Sequence, residues 1–196
     1  FAVGMGFNPA TDPRLLEFEP PAVQFLNEDD ELFRITTLND PQEQKTFNAN
    51  AGMLYGLQDV RGYDSIIPQQ YAQYMALLAP QTDLLYNRIA PIYTPYVQAL
   101  ESPLLHLLGV RYVLTTQTVT APGYTLVYDQ ELHIYRNENA MPRAFTLPCT
   151  QVAPLGESLE ALKRYDVRQT VVAEAAGLPA SLPGVGQSDC RFQPAE

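Results

Sequence analysis

The sequence predicts a mixed α/β fold, of the α/β or α+β kind, with a central mixed β-sheet flanked by helices. Three observations carry that expectation. Short segments that begin on proline and carry helical spacing alternate with β-rich segments. One of them, Ser102-Pro103 to Gly109, feeds through a glycine straight into Val110-Arg111-Tyr112-Val113-Leu114-Thr115-Thr116. Hydrophobic residues make up 46% of the 196 residues, enough to fill one good core.

The elements follow in order. Residues 1–20 are punctuated by glycine and proline and read as irregular. Pro20-Pro21 opens a short helix, Pro21 to Asn27, because proline suits a first helical turn. The acidic run Glu28-Asp29-Asp30-Glu31 reads as a solvated turn, since calcium asks for spaced oxygen ligands and a turn glycine. Leu32 to Leu38 alternates and reads as a strand. Asn39 to Thr46 is polar, contains Pro41, and suggests an exposed loop. Asn50 reads as the cap of a short helix through Tyr55, with Gly56 as its stop. Pro68 opens an amphipathic helix whose Tyr71, Tyr74, Met75 and Leu78 share a face, and Pro80 ends it. Pro91, Tyr93, Pro95 and Tyr96 mark an exposed connector.

Beyond Thr116 the expected strands are Tyr124 to Tyr128, Leu132 to Arg136 and Arg143 to Ala153, the first two joined by a tight turn at Asp129-Gln130-Glu131. A helix from Glu157 to Tyr165 and a strand from Thr170 to Ala175 complete the series. From Gly177 the composition changes. The expected organisation is an α/β domain over residues 1–176. Residues 177–196 read as a linker and the first strand, from Cys190, of a β-rich domain cut short. The start at Phe1, without an initiator methionine, suggests a piece of a longer protein.

Charge narrows the function classes. Acids outnumber bases 22 to 12, a net charge of -10. Nucleic-acid binding is excluded as a general role, because phosphate neutralisation needs clustered Lys and Arg. Docking on anionic lipid is disfavoured for the same reason. No apolar run approaches the roughly 18 residues of a membrane span. The two cysteines, Cys149 and Cys190, could close a disulfide in an oxidising compartment or stay as thiols in a reducing one. With no CxxC and only His106 and His133, neither a metal nor a cofactor is expected.

Motifs of nucleotide and hydrolase chemistry are missing. Gly4-x-Gly6 lacks the strand and helix of a dinucleotide loop, and neither GxxxxGK[ST] nor GxSxG occurs. Residues 55–65 are the richest segment. Tyr55, Asp59, Arg61, Tyr63 and Asp64 bring together the groups that hydrogen-bond hydroxyls and offer faces to sugar rings. These five are the candidate substrate-binding residues; no catalytic residue is assigned. The structural alternative is an ion pair, Asp59–Arg61 or Arg61–Asp64, that pins a loop.

An ordered series of motifs resembles a known family. It runs from Asn8-Pro9, Pro20-Pro21 and Phe33-Arg34-Ile35 through "NAGMLYGLQDVRGYDS" from Asn50 to Ser65, then Pro68 to Tyr74. It continues with Leu107 to Leu114, Ile134-Tyr135-Arg136-Asn137, Met141-Pro142-Arg143-Ala144-Phe145 and Tyr165 to Val172. The series resembles the soluble extracytoplasmic region of the YfhO-type bacterial multi-pass membrane proteins. The resemblance implies a parent related to glycosyltransferases that use lipid-linked sugars, with its catalytic acid in a membrane-side loop that has no counterpart here. It also implies a place on the extracytoplasmic face of the bacterial cell membrane.

Two functions follow as expectations. The chain would be an accessory domain of a membrane glycosyltransferase-like protein, assisting sugar transfer to cell-envelope glycans or polymers. Its partners would be the membrane-embedded part of the parent and the glycan. Alternatively it would be a non-catalytic structural or interaction module, contacting its partner through Pro91 to Tyr96. A free-standing hydrolase using Asp59 and Asp64 as a carboxylate pair is the weakest reading, because nearness in sequence does not set the separation that such chemistry needs.

Overall fold

The computed structural model describes residues 12, 14, 17–43, 46–81, 88–147 and 149–174. Its centre is a five-stranded mixed sheet in the order β4-β1-β5-β7-β6. Here β1 is Arg34–Asn39, β4 is Ile92–Tyr93, β5 is Val110–Thr115, β6 is Tyr124–Asp129 and β7 is His133–Asn137. Strands β4 and β5 flank β1 and run parallel to it, while β7 is antiparallel to both β5 and β6. The fold is therefore mixed α/β, as the alternation of elements predicts.

Both faces of β1 and β5 are covered, as parallel strands require. Helix α1, Pro21–Asn27, lays Ala22, Val23 and Leu26 on one face, against Ile35, Tyr112, Leu114 and Ile134. Helix α2, Gln69–Leu78, and helix α3, Pro103–Leu107, help to cover the other, around Leu38, Val110, Val113 and Tyr135. Helix α2 is docked by polar tips as well as apolar area. Tyr71 Oη donates to the Val60 carbonyl, and Tyr74 Oη donates to the Leu104 carbonyl at 2.7 Å. It ends at Ala79, which is extended because the ring of Pro80 disfavours a helical residue before it.

The N-terminus of α1 is tied to the far hairpin. Glu131, in the β6–β7 turn, accepts from the Ala22 amide at 2.8 Å and from the Tyr128 hydroxyl. Helix α3 keeps the predicted ends. Ser102 Oγ accepts from the Leu104 amide, and Gly109 turns the chain at a φ of 68°. A Cβ there would stand 3.3 Å from the Met141 carbonyl, so glycine answers both needs.

Four expectations change. Pro91 to Tyr96 is not an exposed connector: Pro91 and Ile92 are buried, β4 pairs with the end of β1, and a 3-10 helix, Thr94–Glu101, follows. The strand expected from Arg143 begins only at Cys149, as β8, Cys149–Ala153. Upstream, the Met141 amide goes to the His106 carbonyl, and Pro142 has no amide to give a ladder. The helix expected from Glu157 to Tyr165 contracts to α4, Ser158–Leu162. Asp166 breaks it by accepting from the Arg168 amide, a local bond that competes with helix. Asn50 does not cap with its side chain, for a reason that shapes the site below.

Strands β8 and β9, Thr170–Glu174, pair in parallel as a separate two-stranded sheet. This βαβ unit meets the rest through Arg168, whose guanidinium donates to His106 Nδ1 at 3.0 Å. Cys149 is disulfide-bonded. Cys190 and the expected linker and strand of 177–196 lie outside the described residues.

Candidate functional site

The segment after β1 leaves the sheet and returns beside it. The Ile35 amide donates to the Gln58 carbonyl, and the Val60 amide donates back to the Ile35 carbonyl. These bonds form a parallel bridge between Ile35 and Asp59 and set Asp59 and Arg61 against the sheet edge. Asp59 grips Arg61 with both oxygens, at 3.1 Å from Nε and 2.6 Å from Nη2, and also accepts from the Arg61 amide at 2.8 Å. A third guanidinium bond runs from Arg61 Nη1 to the Phe47 carbonyl. The two side chains are 5% and 3% exposed. This pair is the loop-pinning arrangement that the sequence left open. Both carboxylate oxygens of Asp59 are committed to it, so Asp59 is not placed to serve as an acid or a base.

Asn50 works from the other side. Its Oδ1 accepts from the Tyr63 amide at 3.0 Å, and its Nδ2 donates to the Tyr63 carbonyl at 2.6 Å. The carboxamide thus behaves as a strand neighbour to Tyr63. To reach it, Asn50 takes a φ of 70°, a conformation that asparagine tolerates better than most residues. The other edge of strand β2, Gly62–Tyr63, pairs with β3, Arg88–Ile89, which opposes Tyr63 to Arg88. Held on both edges, Tyr63 leaves its side chain 60% exposed.

These elements enclose a crevice of about 450 Å³ at the carboxyl ends of β1 and β4. Asn39 and Tyr93, the last residues of those strands, line it with Arg61, Tyr63, Arg88 and Asn50. Open α/β sheets collect ligands where connections from neighbouring strands diverge. The chain leaving β1 returns in β4 on one side, while the chain leaving β5 goes on to β6 and β7 on the other.

The five predicted residues therefore divide. Arg61 and Tyr63 line the crevice. Asp59 stands behind Arg61 and fixes it. Tyr55 is half-buried elsewhere, with its hydroxyl on the Phe18 carbonyl, beside a separate depression of about 270 Å³. Asp64 is exposed and accepts from the Ile66 amide in a turn. Asp59 and Asp64 thus have separate local partners rather than the shared site of a hydrolytic pair. Sequence reasoning missed Asn39, Asn50, Arg88 and Tyr93. Asn50 had pointed to helix capping, Tyr93 to an exposed connector and Asn39 to the start of an exposed loop, whereas Asn39 ends β1 and is buried.

Tyr71 sits behind the site. Burial pushes its hydroxyl up to about 12, with Arg34 opposing and Asp59 reinforcing the shift. It stays a neutral donor to the Val60 carbonyl. No group of three or more His, Cys, Asp or Glu side chains placed to hold a metal ion occurs among the described residues. No protein-family model, curated protein or solved structure matches the chain.

Proposed function

We propose that this chain is a non-catalytic, extracytoplasmic accessory domain of a multi-pass membrane glycosyltransferase-like protein, and that it holds a cell-envelope glycan or polymer in the crevice. The observation that carries the reading is the crevice itself. It combines amide, guanidinium and tyrosine groups at a sheet end, and the side chains of Arg61 and Asn50 are held by hydrogen bonds rather than left to rotate. Fixed polar groups beside an aromatic ring suit hydroxyl-bearing rings, because little side-chain entropy is lost on binding. The ordered motif series supports the membrane parent. The described residues contain no helix long and apolar enough to cross a membrane.

The test is a titration of the 196-residue chain with cell-envelope oligosaccharides, followed by NMR. Shifts at Asn50, Arg61 and Tyr63 are expected. Binding that leaves these residues unmoved and perturbs another face contradicts the reading.

A second reading, an interaction module, has its own support. Met53 and Leu54 stand side by side on the 3-10 helix Ala51–Tyr55, both largely exposed. They replace Pro91 to Tyr96 as the apolar surface such a module would use. Loss of association with the membrane part of the parent after Met53→Ser and Leu54→Ser, with glycan binding intact, would favour it.

A further inference from the structure

We propose that the crevice selects an uncharged, hydroxyl-rich ligand, and that the carboxamide of Asn39 is its specificity-determining contact. This deepens the glycan reading, on which it rests.

Asn39 is the last residue of β1 and is 3% exposed, yet its Oδ1 has no hydrogen-bond partner. Buried carbonyl oxygens are seldom left so, and one on a residue that lines a cavity points to a donor that belongs there. Its place in the strand explains why nothing in the chain fills the role. Asn39 pairs with Tyr93 through the parallel ladder, which occupies backbone and not side chain. Two residues earlier, on the same side of β1, Thr37 Oγ1 is also buried and unpartnered. Two unmet polar side chains thus succeed each other along that side of β1, and the second, Asn39, lines the crevice.

Charge around the crevice selects among ligands. Asp40 and Glu43 line it, and both are acceptors already at work. Asp40 Oδ1 accepts from the Gln42 amide, and Glu43 Oε2 accepts from Thr116 and Gln117. Two carboxylates beside an orphaned carbonyl repel an anion and favour a donor. Arg88, which forms no ion pair among the described residues, opposes a cation. A neutral ligand whose hydroxyls both donate and accept satisfies all of these groups. A carboxamide, with one acceptor and two donors on a rigid plane, can meet two neighbouring hydroxyls at once.

The test compares three probes on the full chain: tri-N-acetylchitotriose and maltotriose, which are neutral, and trigalacturonate, which is anionic. At least one neutral probe is expected to bind and to shift the Asn39 side-chain amide resonances. Asn39→Ala is expected to weaken it about tenfold or more, the scale of a lost buried hydrogen bond. Asn39→Asp, which keeps the shape but adds charge, should weaken it as well. A neutral probe that shifts Tyr63 and Arg61 with equal affinity in wild type and both variants overturns the role of Asn39 and leaves glycan binding standing. Preference for trigalacturonate overturns the charge selection alone. Failure of all three probes at millimolar concentration, or shifts confined outside the crevice, overturns this inference and the glycan reading together.

Discussion

The two ends of the parallel strands β1 and β5 are built differently. At the amino ends, polar groups find one another. Tyr112 Oη donates to Asp29 at 2.7 Å, Arg111 pairs with Asp29 and Glu31, and Arg34 donates to the Leu108 carbonyl at 2.6 Å. At the carboxyl end of β1, Thr37 and Asn39 are more deeply buried, but their side-chain oxygens meet nothing. The more deeply buried end is the less satisfied one. A paired end closes the structure, whereas an unpaired end bordering a crevice is a place for something else to complete it.

The largest expected effect breaks the rigid wall of the crevice. Asp59→Ala leaves the Arg61 guanidinium buried without its carboxylate, and should cost about 3–5 kcal/mol in denaturant unfolding. Replacing Asp59 and Arg61 together by apolar residues of similar volume should cost much less. At the amino end, Tyr112→Phe removes a bond to a carboxylate and should cost about 1.5–2 kcal/mol by the same measurement. At the carboxyl end the sign reverses. Asn39→Leu removes an unsatisfied carbonyl and should raise stability by about 1 kcal/mol while abolishing ligand binding. A loss of stability there instead would mean that Asn39 is satisfied within the fold.

The smallest effect concerns the joint to the βαβ unit. His106 is buried, with Nε2 on the Leu100 carbonyl and Nδ1 accepting from Arg168. Burial first, and then the charge of Arg168, holds its pKa below the ordinary 6.5, against the Leu100 bond. The folded chain thus keeps His106 neutral where the unfolded chain takes up a proton. Stability should be level above about pH 6.5, then fall as pH drops through the window between the unfolded and folded values. Asn in place of His106 should flatten that decline, measured as melting temperature against pH.

Much of this fold was legible because local chemistry and tertiary packing agree. Pro21 and Ser102-Pro103 open helices where they should, and the spacing of Tyr71, Tyr74 and Met75 marks the buried side of α2. The reading failed where long-range pairing overrode composition. Pro91 to Tyr96 looks like loop, but β1 offers an open edge and recruits Ile92 and Tyr93. At the site, Arg61 and Tyr63 were legible as a cluster of suitable chemistry. Their grouping with Tyr55 and Asp64 was not sound, because neighbours in sequence depart to different surfaces. Asn39 and Tyr93 had looked like parts of exposed loops, and Arg88 carried no local signal. They meet only because one lies on β1, one on β3 and one on β4, and pairing between strands is invisible in a single sequence.

A crystal structure of the chain grown with a bound neutral oligosaccharide tests the central claim most directly. A sugar hydroxyl is expected within hydrogen-bond distance of Asn39 Oδ1, with Arg61 and Tyr63 unmoved and the amino-end cluster around Asp29 unoccupied. An oligosaccharide seated elsewhere, with ordered water alone satisfying Asn39 and Thr37, would contradict it.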